Sequence, residues 1–420
     1  MSYIPLFLTG YLISRLSVRY GLVEAFFTRV FGARREAFSR FLFFLLLAAT
    51  IVSMFIPNFI AALTLLPILE TIREEFEQRH DVRTARRLTT SMVVIVIYGC
   101  NIGGMGSLVG SPANALMLGA LEIFKVAGRE KINFLSWFGW SLPLVAILVL
   151  IAWAQVAFIL VPAKMRALSL QIPVHKLTRR ESKLAPKAWM AMIVWFAFWI
   201  LHSMGDILFP VEGASLRLPG MELSWDLWDL IAVIFGALYL AGLFFPAIEI
   251  AAGRREALLR WQDCFDRFPM RGFIFVALAL GVSGLFILLG LPKWLALHLE
   301  HMLPSNPSPW LLYFVLCFFT TMATEFFSNT SVSVVLFPVV HALATSFGIN
   351  PLVALMAVGL ASTNAFMTPI GTPVNALLFG GVKNVSLPIM LASGLLLNII
   401  SAIWMSAFLE YVIPWYYGLQ

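Results

Sequence analysis

Polar and apolar positions do not alternate along this chain. Apolar residues run in long blocks, at 3–18, 41–69, 89–119, 134–162, 188–208, 227–248, 271–291, 309–346, 351–380 and 386–415, with short polar stretches between them. A helix needs about 20 predominantly apolar residues to cross the hydrocarbon layer, and most of these blocks reach or exceed that length. Only helices and closed barrels satisfy their backbone polar groups in lipid. A barrel strand would show a two-residue period, which is missing here, so the pattern predicts an all-α polytopic membrane protein.

Composition agrees. The 420 residues are 60% hydrophobic and 12% charged, where soluble domains carry roughly 25% charged residues. The net charge of +7 does not indicate a nucleic-acid partner, because the basic residues sit in short connections between spans. Of the 29 Lys and Arg, 24 fall at 15–40, 70–88, 163–187, 251–271 and 383. The positive-inside rule makes those connections cytoplasmic and orients a multi-pass protein in a cell membrane of the bacterial inner-membrane type, with lipid as its surroundings. Cys100, Cys264 and Cys317 lie in or beside apolar blocks with no spacing that implies a disulfide framework. Met1 leads almost directly into the first span, without the pattern of a cleavable signal.

This charge distribution makes two blocks unusual. The connections before and after 41–69 are both basic, so a single crossing would strand one of them outside. The block is therefore expected to enter and return on the cytoplasmic side as a re-entrant hairpin, with Ser53, Pro57 and Asn58 at its polar tip. Backbone of that kind is tolerated at membrane depth only under a cover of protein or water. By the same parity, 271–291 leaves a basic connection and 351–380 must run inward to Lys383, so 309–346 enters and returns from outside. Its tip is TEFFSNT, residues 324–330.

The two halves repeat. SMFIPNFIAALTLLPIL (53–69) pairs with TEFFSNTSVSVVLFPVV (324–340), matching Ser53 to Thr324, Asn58 to Asn329 and Pro67 to Pro338. YGCNIGGMGSLVGSPAN (98–114) pairs with GLASTNAFMTPIGTPVN (359–375), matching Gly110 to Gly371, Ser111 to Thr372, Pro112 to Pro373 and Asn114 to Asn375. One hairpin opens inward and the other outward, so the expected architecture is a pair of inverted-topology repeats, each with a re-entrant helical hairpin and a discontinuous transmembrane helix. The repeats divide as 1–163 and 188–420, with a cytoplasmic linker at 164–187. Spans 188–208 and 227–248 have no counterpart ahead of residue 3, so the first repeat starts late: either two helices are absent or the start codon is placed downstream of the true one.

GSPAN and GTPVN interrupt long apolar runs. Ser111 and Thr372 suit N-cap positions and Pro112 and Pro373 the first helical turn. Each break then aims free N–H groups and a positive dipole end into the membrane interior, where two breaks and two tips build a site for an anion. Unwound carbonyls and Ser, Thr or Asn oxygens are hard ligands suited to Na⁺. A kink from Pro and Gly in an ordinary span is the simpler reading of each break, and the duplication argues against it. The Ser328-Asn329-Thr330 tip reads either as a ligand set or as a cap for the following half-helix. Glu325 reads as a proton carrier or as an acceptor for backbone donors of the hairpin.

Other signals are weaker. GGMGSLVG lacks a following Lys and lies within a span, which argues against a nucleotide loop. His298 and His301 form HxxH without a third ligand nearby. His202 reads as a satisfied core or interfacial residue, and 253–272 as an amphipathic helix on the membrane surface. No HExxH, GxSxG or paired catalytic carboxylates occur, so the chain does not read as an enzyme.

The stretches SMFIPN, IGGMGSLVGSPAN, TEFFSNT and AFMTPIGTPVN resemble the divalent anion:sodium symporter family of the wider ion transporter superfamily, over nearly the whole chain from about residue 7. The resemblance implies import of di- or tricarboxylates or sulfate with Na⁺ by a homodimer whose transport domains move past a scaffold as elevators. It implies one or two bound Na⁺, one held by Ser53, Asn58 and the Gly110 carbonyl, the other by Thr324, Ser328, Asn329 and the Gly371 carbonyl. A small anionic substrate would meet Asn58, Ser111 and Pro112 on one side and Asn329, Thr330, Thr372 and Pro373 on the other. The chain departs from the family at the first tip, where Pro57-Asn58-Phe59 replaces a second Ser-Asn-Thr, and at Ala113 and Val374, which replace a proline. Pro57 removes a hydroxyl from the first cation set, and Phe59 removes a donor and adds apolar bulk. The reading is a secondary transporter of a dicarboxylate or related anion. A Na⁺-independent exchanger, a proton-coupled carrier and a transport-inactive binding or scaffold protein stand as alternatives.

Overall fold

The computed structural model describes residues 3–31, 35–171, 184–209, 216–217, 224–225, 227–245, 248–251, 254–265 and 307–419, with a few isolated positions between 281 and 294. The expected span 271–291 lies almost wholly outside them, and His298 and His301 entirely so.

The first half runs α1 (Tyr3–Tyr20), α2 (Leu22–Phe31), α3 (Phe38–Phe55), α4 (Asn58–Arg79), α5 (Val82–Gly103), α6 (Pro112–Ile123) and α7 (Phe134–Ala154). A π-helical turn, Gln155–Leu160, extends α7. At its first residue Gln155 Nε2 donates to the Ser393 carbonyl at 2.6 Å, which ties this turn to α16. After α8 (Ala163–Arg166) come α9 (Ala185–Leu208), α10 (Leu227–Phe244) and α11 (Trp261–Phe265). The second half closes with α12 (Pro309–Thr324), α13 (Asn329–Phe347), α14 (Pro351–Ala361), α15 (Pro373–Gly381) and α16 (Leu387–Tyr417). Among the described residues six helices are long and apolar enough to cross a membrane.

Both expected breaks and both expected tips are present. α5 and α6 are separated at 104–111, α14 and α15 at 362–372, α3 and α4 at Ile56 and Pro57, and α12 and α13 at 325–328. The first hairpin reaches further than its apolar pattern, because α4 continues to Arg79 on a charged turn where Arg73 pairs with Glu70 at 2.8 Å. Glu70 also accepts from the Lys383 backbone at 3.1 Å, tying α4 to the α15–α16 turn.

α5 and α14 form the centre. Leu88 to Gly103 and Leu352 to Ala361 are buried on every side, as expected of helices that are apolar all round. α3 and α4 pack on α5, and α12 and α13 pack on α14. The halves then exchange partners: α13 packs on α6 and α4 packs on α15. α7 and α16 pack on α5 and α14 respectively and on each other. α1, α9 and α10 form an outer layer; the most apolar windows of α9 and α10 are 22% and 28% buried, against 61% for α3.

One expectation is corrected. Among the described residues of 253–272, the start forms no amphipathic helix: β1 (Ile248–Ala251) pairs antiparallel with β2 (Arg254–Glu256), and α11 follows, while 266–272 lie outside the described residues. The alternating Ile248-Glu249-Ile250 favours an extended pair, and Gly253 interrupts the helical pattern.

Candidate functional site

Each break is built by one cap and one asparagine. Ser111 and Thr372 take the same extended conformation (φ −138°, ψ 140° and φ −135°, ψ 155°), with Pro112 and Pro373 opening the next helix. Ser111 Oγ accepts from the Ala113 N–H at 3.3 Å, and Thr372 Oγ1 from the Asn375 N–H at 3.1 Å. Asn114 Nδ2 donates to the carbonyls of Gly104 and Ser107 at 2.9 and 2.8 Å. Asn375 Nδ2 does the same to Ala365 and Thr368, at 2.9 and 2.8 Å. These positions correspond one to one in the sequence repeat, so the duplication extends to individual hydrogen bonds. Each asparagine folds its break back on the next helix and satisfies carbonyls that the missing helical turn leaves open.

The hairpin tips rest on these breaks. Ser107 Oγ donates to the Met54 carbonyl, and its counterpart Thr368 Oγ1 donates to the Glu325 carbonyl. Ser53 Oγ lies 2.8 Å from Asn58 Oδ1 and 2.7 Å from the Cys100 carbonyl, two acceptors within reach of its one proton. The Asn58 amide sits over Gly104, where a methyl group would come within 2.7 Å of Nδ2. On the other side a methyl group on Gly371 would come within 2.8 Å of the Thr324 carbonyl, so tip and break are in backbone contact there.

The second tip does not cap its helix with a side chain. Ser328 occupies the N-cap of α13 without accepting a cap bond, and its hydroxyl instead lies 2.9 Å from Thr330 Oγ1. Asn329 Oδ1 is buried and has no hydrogen-bond partner. A buried acceptor left open costs about 1–3 kcal/mol, and a cation beside Thr324 and Ser328 would satisfy it. The expected Na⁺ ligands of the second set thus fit a hard cation by their chemistry. In the first set Asn58 Oδ1 is engaged by Ser53, and Pro57 supplies no hydroxyl.

Glu325 is fully buried and paired. Its Oε1 accepts from the Met367 N–H and from Asn398 Nδ2, both at 2.7 Å, and its Oε2 from the Thr368 N–H at 2.6 Å. The donors belong to the break and to α16, not to the hairpin itself. Three charge-assisted bonds compensate a carboxylate at this depth. The matching position in the first half is Met54, so this clamp exists on one side only.

A family profile described as the sodium:sulfate symporter transmembrane region matches residues 2–417. The chain belongs to this family. It is 25% identical over 424 residues to the sodium-dependent dicarboxylate transporter SdcS of Staphylococcus saprophyticus, covering 99% of this chain and 77% of that protein. A Staphylococcus aureus SdcS is 26% identical over 423 residues, with the same coverage. Among solved structures, the Alcanivorax borkumensis YdaH transporter, described as having an unusual topology, superposes with a TM-score of 0.55 at 15% identity, covering 97% of this chain and 85% of that one. The motif-based family expectation is met, and the protein is a multi-pass membrane transporter rather than an enzyme.

In this family member the last turn of α5 meets the second break. Asn101 Nδ2 donates to the Ala365 carbonyl at 2.7 Å and to Asn375 Oδ1 at 3.2 Å. Asn375 Oδ1 also accepts from Thr372 Oγ1 at 3.0 Å. Asn375 and Thr372 of the second half are thereby tied to α5, whose neighbouring Cys100 carbonyl lies against Ser53 of the first tip; Ser111 and Thr372 are buried, and Pro112 and Pro373 are exposed. Sequence reasoning missed Asn101, Asn398 and the Ser107–Thr368 pair; of these, only the last was marked by the repeat.

A cavity of about 240 Å³ lies elsewhere, among α1, the α6–α7 connection, α9 and α10. Glu122, Glu130, Asp206 and Asp229 line it beside His202. Carboxylates repel an anion, so the lining of this cavity does not suit the expected substrate. His202 itself is satisfied as expected, with Nε2 2.9 Å from the Trp228 carbonyl.

Proposed function

We propose that this protein imports a dicarboxylate or related organic anion by Na⁺ symport, binding it between the two tips and the two breaks. The observation that carries the reading is the duplicated asparagine clamp, Asn114 on Gly104 and Ser107, Asn375 on Ala365 and Thr368, which sets the N-terminus of α6 at one break and that of α15 at the other. Helix N-termini attract negative charge. Asn58, Ser111 and Pro112 contact the anion from one side, and Asn329, Thr330, Thr372 and Pro373 from the other.

One Na⁺ binds at Thr324, Ser328, Asn329 and the Gly371 carbonyl. A second, weaker one binds at Ser53, Asn58 and the Gly110 carbonyl. Each ion offsets substrate charge and orders its tip. The repeats are inverted in the membrane, and α3–α7 and α12–α16 move together past α1, α9 and α10 in an elevator stroke, within a homodimer surrounded by lipid. The Staphylococcus relatives named as sodium-dependent dicarboxylate transporters support the coupling and the substrate class.

Uptake of labelled organic anions, succinate among them, into proteoliposomes under an inward Na⁺ gradient tests the reading. Uptake should depend on Na⁺ with a shallow, near-single-ion dependence. Equal uptake in choline buffer would move the protein to the Na⁺-independent or proton-coupled class, for which the thinner first cation set is the supporting observation.

A further inference from the structure

The repeat supplies its own control. At matching positions the second tip carries Ser328-Asn329-Thr330 and the first carries Pro57-Asn58-Phe59. The second offers two hydroxyls 2.9 Å apart and an asparagine whose Oδ1 has no partner, which leaves it free for a cation while the amide N–H groups serve an anion. At the first, the Asn58 carbonyl oxygen lies 2.8 Å from the Ser53 hydroxyl, Pro57 has neither N–H nor hydroxyl, and Phe59 presents a half-buried ring. Each tip is anchored to its break by a matching hydroxyl, Ser107 on the Met54 carbonyl and Thr368 on the Glu325 carbonyl, so the two can be compared position by position.

A carboxylate needs several convergent donors to offset its desolvation. The second side supplies them and the first does not. We propose, building on the transporter reading of the same site, that the preferred substrate has one anionic head and an apolar tail, an aryl- or branched alkyl-monocarboxylate, in preference to a symmetric dicarboxylate. The head binds at Ser328, Asn329, Thr330 and the N-terminus of α15. The tail lies against Pro57 and Phe59, where apolar contact replaces the second set of hydrogen bonds.

Charge balance points the same way. Pro57 takes a hydroxyl from the cation set beside Ser53 as well as from the anion side. A substrate that brings one negative charge needs one fewer compensating cation, so the loss of ligand capacity on both counts is matched by the loss of one carboxylate.

The test is thermal stabilisation of the detergent-purified protein in Na⁺ buffer by phenylacetate, 4-methylpentanoate and succinate. Phenylacetate should reach its half-maximal shift at a concentration at least tenfold below that of succinate. Phe59→Thr together with Pro57→Ser should raise the phenylacetate requirement and bring succinate to parity or better, whereas Phe59→Leu should preserve the wild-type order. Thr330→Val should weaken both ligands, since both place a carboxylate there. A wild-type protein that answers to succinate at lower concentration than to either monocarboxylate overturns the inference and leaves the transporter reading standing. The same holds if the order survives the double substitution. If no anion shifts the protein with or without Na⁺, the transporter reading falls and this inference with it.

Discussion

Asn101 on α5 donates to Oδ1 of Asn375 on α15 across 3.2 Å, and through it reaches the hydroxyl of Thr372. The two broken helices are thus joined by a side-chain bond as well as by packing. Replacing Asn101 with alanine leaves the Ala365 carbonyl bonded to Asn375 Nδ2 and Asn375 Oδ1 bonded to Thr372. No acceptor is orphaned, so the stability cost should be modest, about 1 kcal/mol, the net worth of an ordinary hydrogen bond. Transport should suffer more, because Asn375 loses the contact that fixes it against the other half. The expected result is a near-normal melting temperature with uptake reduced roughly tenfold, the equivalent of about 1.4 kcal/mol. Initial rates in proteoliposomes beside a thermal melt measure both.

Asn329→Ala removes the open Oδ1 at the second tip. The half-helix α13 loses no side-chain cap, since none is made there. Membrane insertion and folding should therefore persist while Na⁺-dependent uptake is abolished. Surface labelling for the first and uptake for the second decide it, and unchanged uptake would remove this tip from the site.

The places where sequence reasoning succeeded and failed have physical causes. The breaks were legible because a Ser or Thr cap followed by Pro is a local signal, and Ser111 and Thr372 carry it. The tips were legible because small polar residues and Pro57 interrupt long apolar blocks at 53–58 and 324–330, and the helices part there. Asn101 was not, since its partners lie more than 260 residues away and no local pattern marks it. The sequence leaves Glu325 as a proton carrier or an acceptor for donors of its own hairpin, whereas its donors come from the break and from Asn398, contacts that exist only once α12, α14 and α16 are packed together.

Glu325→Gln keeps the shape of the clamp and removes the charge. The amide can present one acceptor, so its NH₂ must face one of the donors from Met367, Thr368 or Asn398. An unsatisfied buried donor costs roughly 1–3 kcal/mol, and the melting temperature should fall accordingly. Combining it with Asn398→Asp returns an acceptor to the cluster, so the double variant should be more stable than the two single effects predict. A thermodynamic cycle over the four proteins measures the coupling. Simple additivity would show that Asn398 and Glu325 do not act as a unit.

Phe55, at the end of α3, packs its ring 4.4 Å from that of Phe196 on α9, and 5.7 Å from Phe138 on α7. The first of these contacts crosses from the hairpin to the outer layer, and the second stays within the body that carries the site. In an elevator stroke only the first should break. A Phe55→Cys, Phe196→Cys pair joined by a short bifunctional thiol reagent should therefore block uptake while leaving anion-induced thermal stabilisation in place, and a reducible linker should restore uptake on cleavage. The corresponding Phe55→Cys, Phe138→Cys pair should cross-link without stopping transport. Undiminished uptake with the first pair fully cross-linked would mean that the end of α3 does not travel relative to α9, and that access to the site alternates by a smaller motion of the tips.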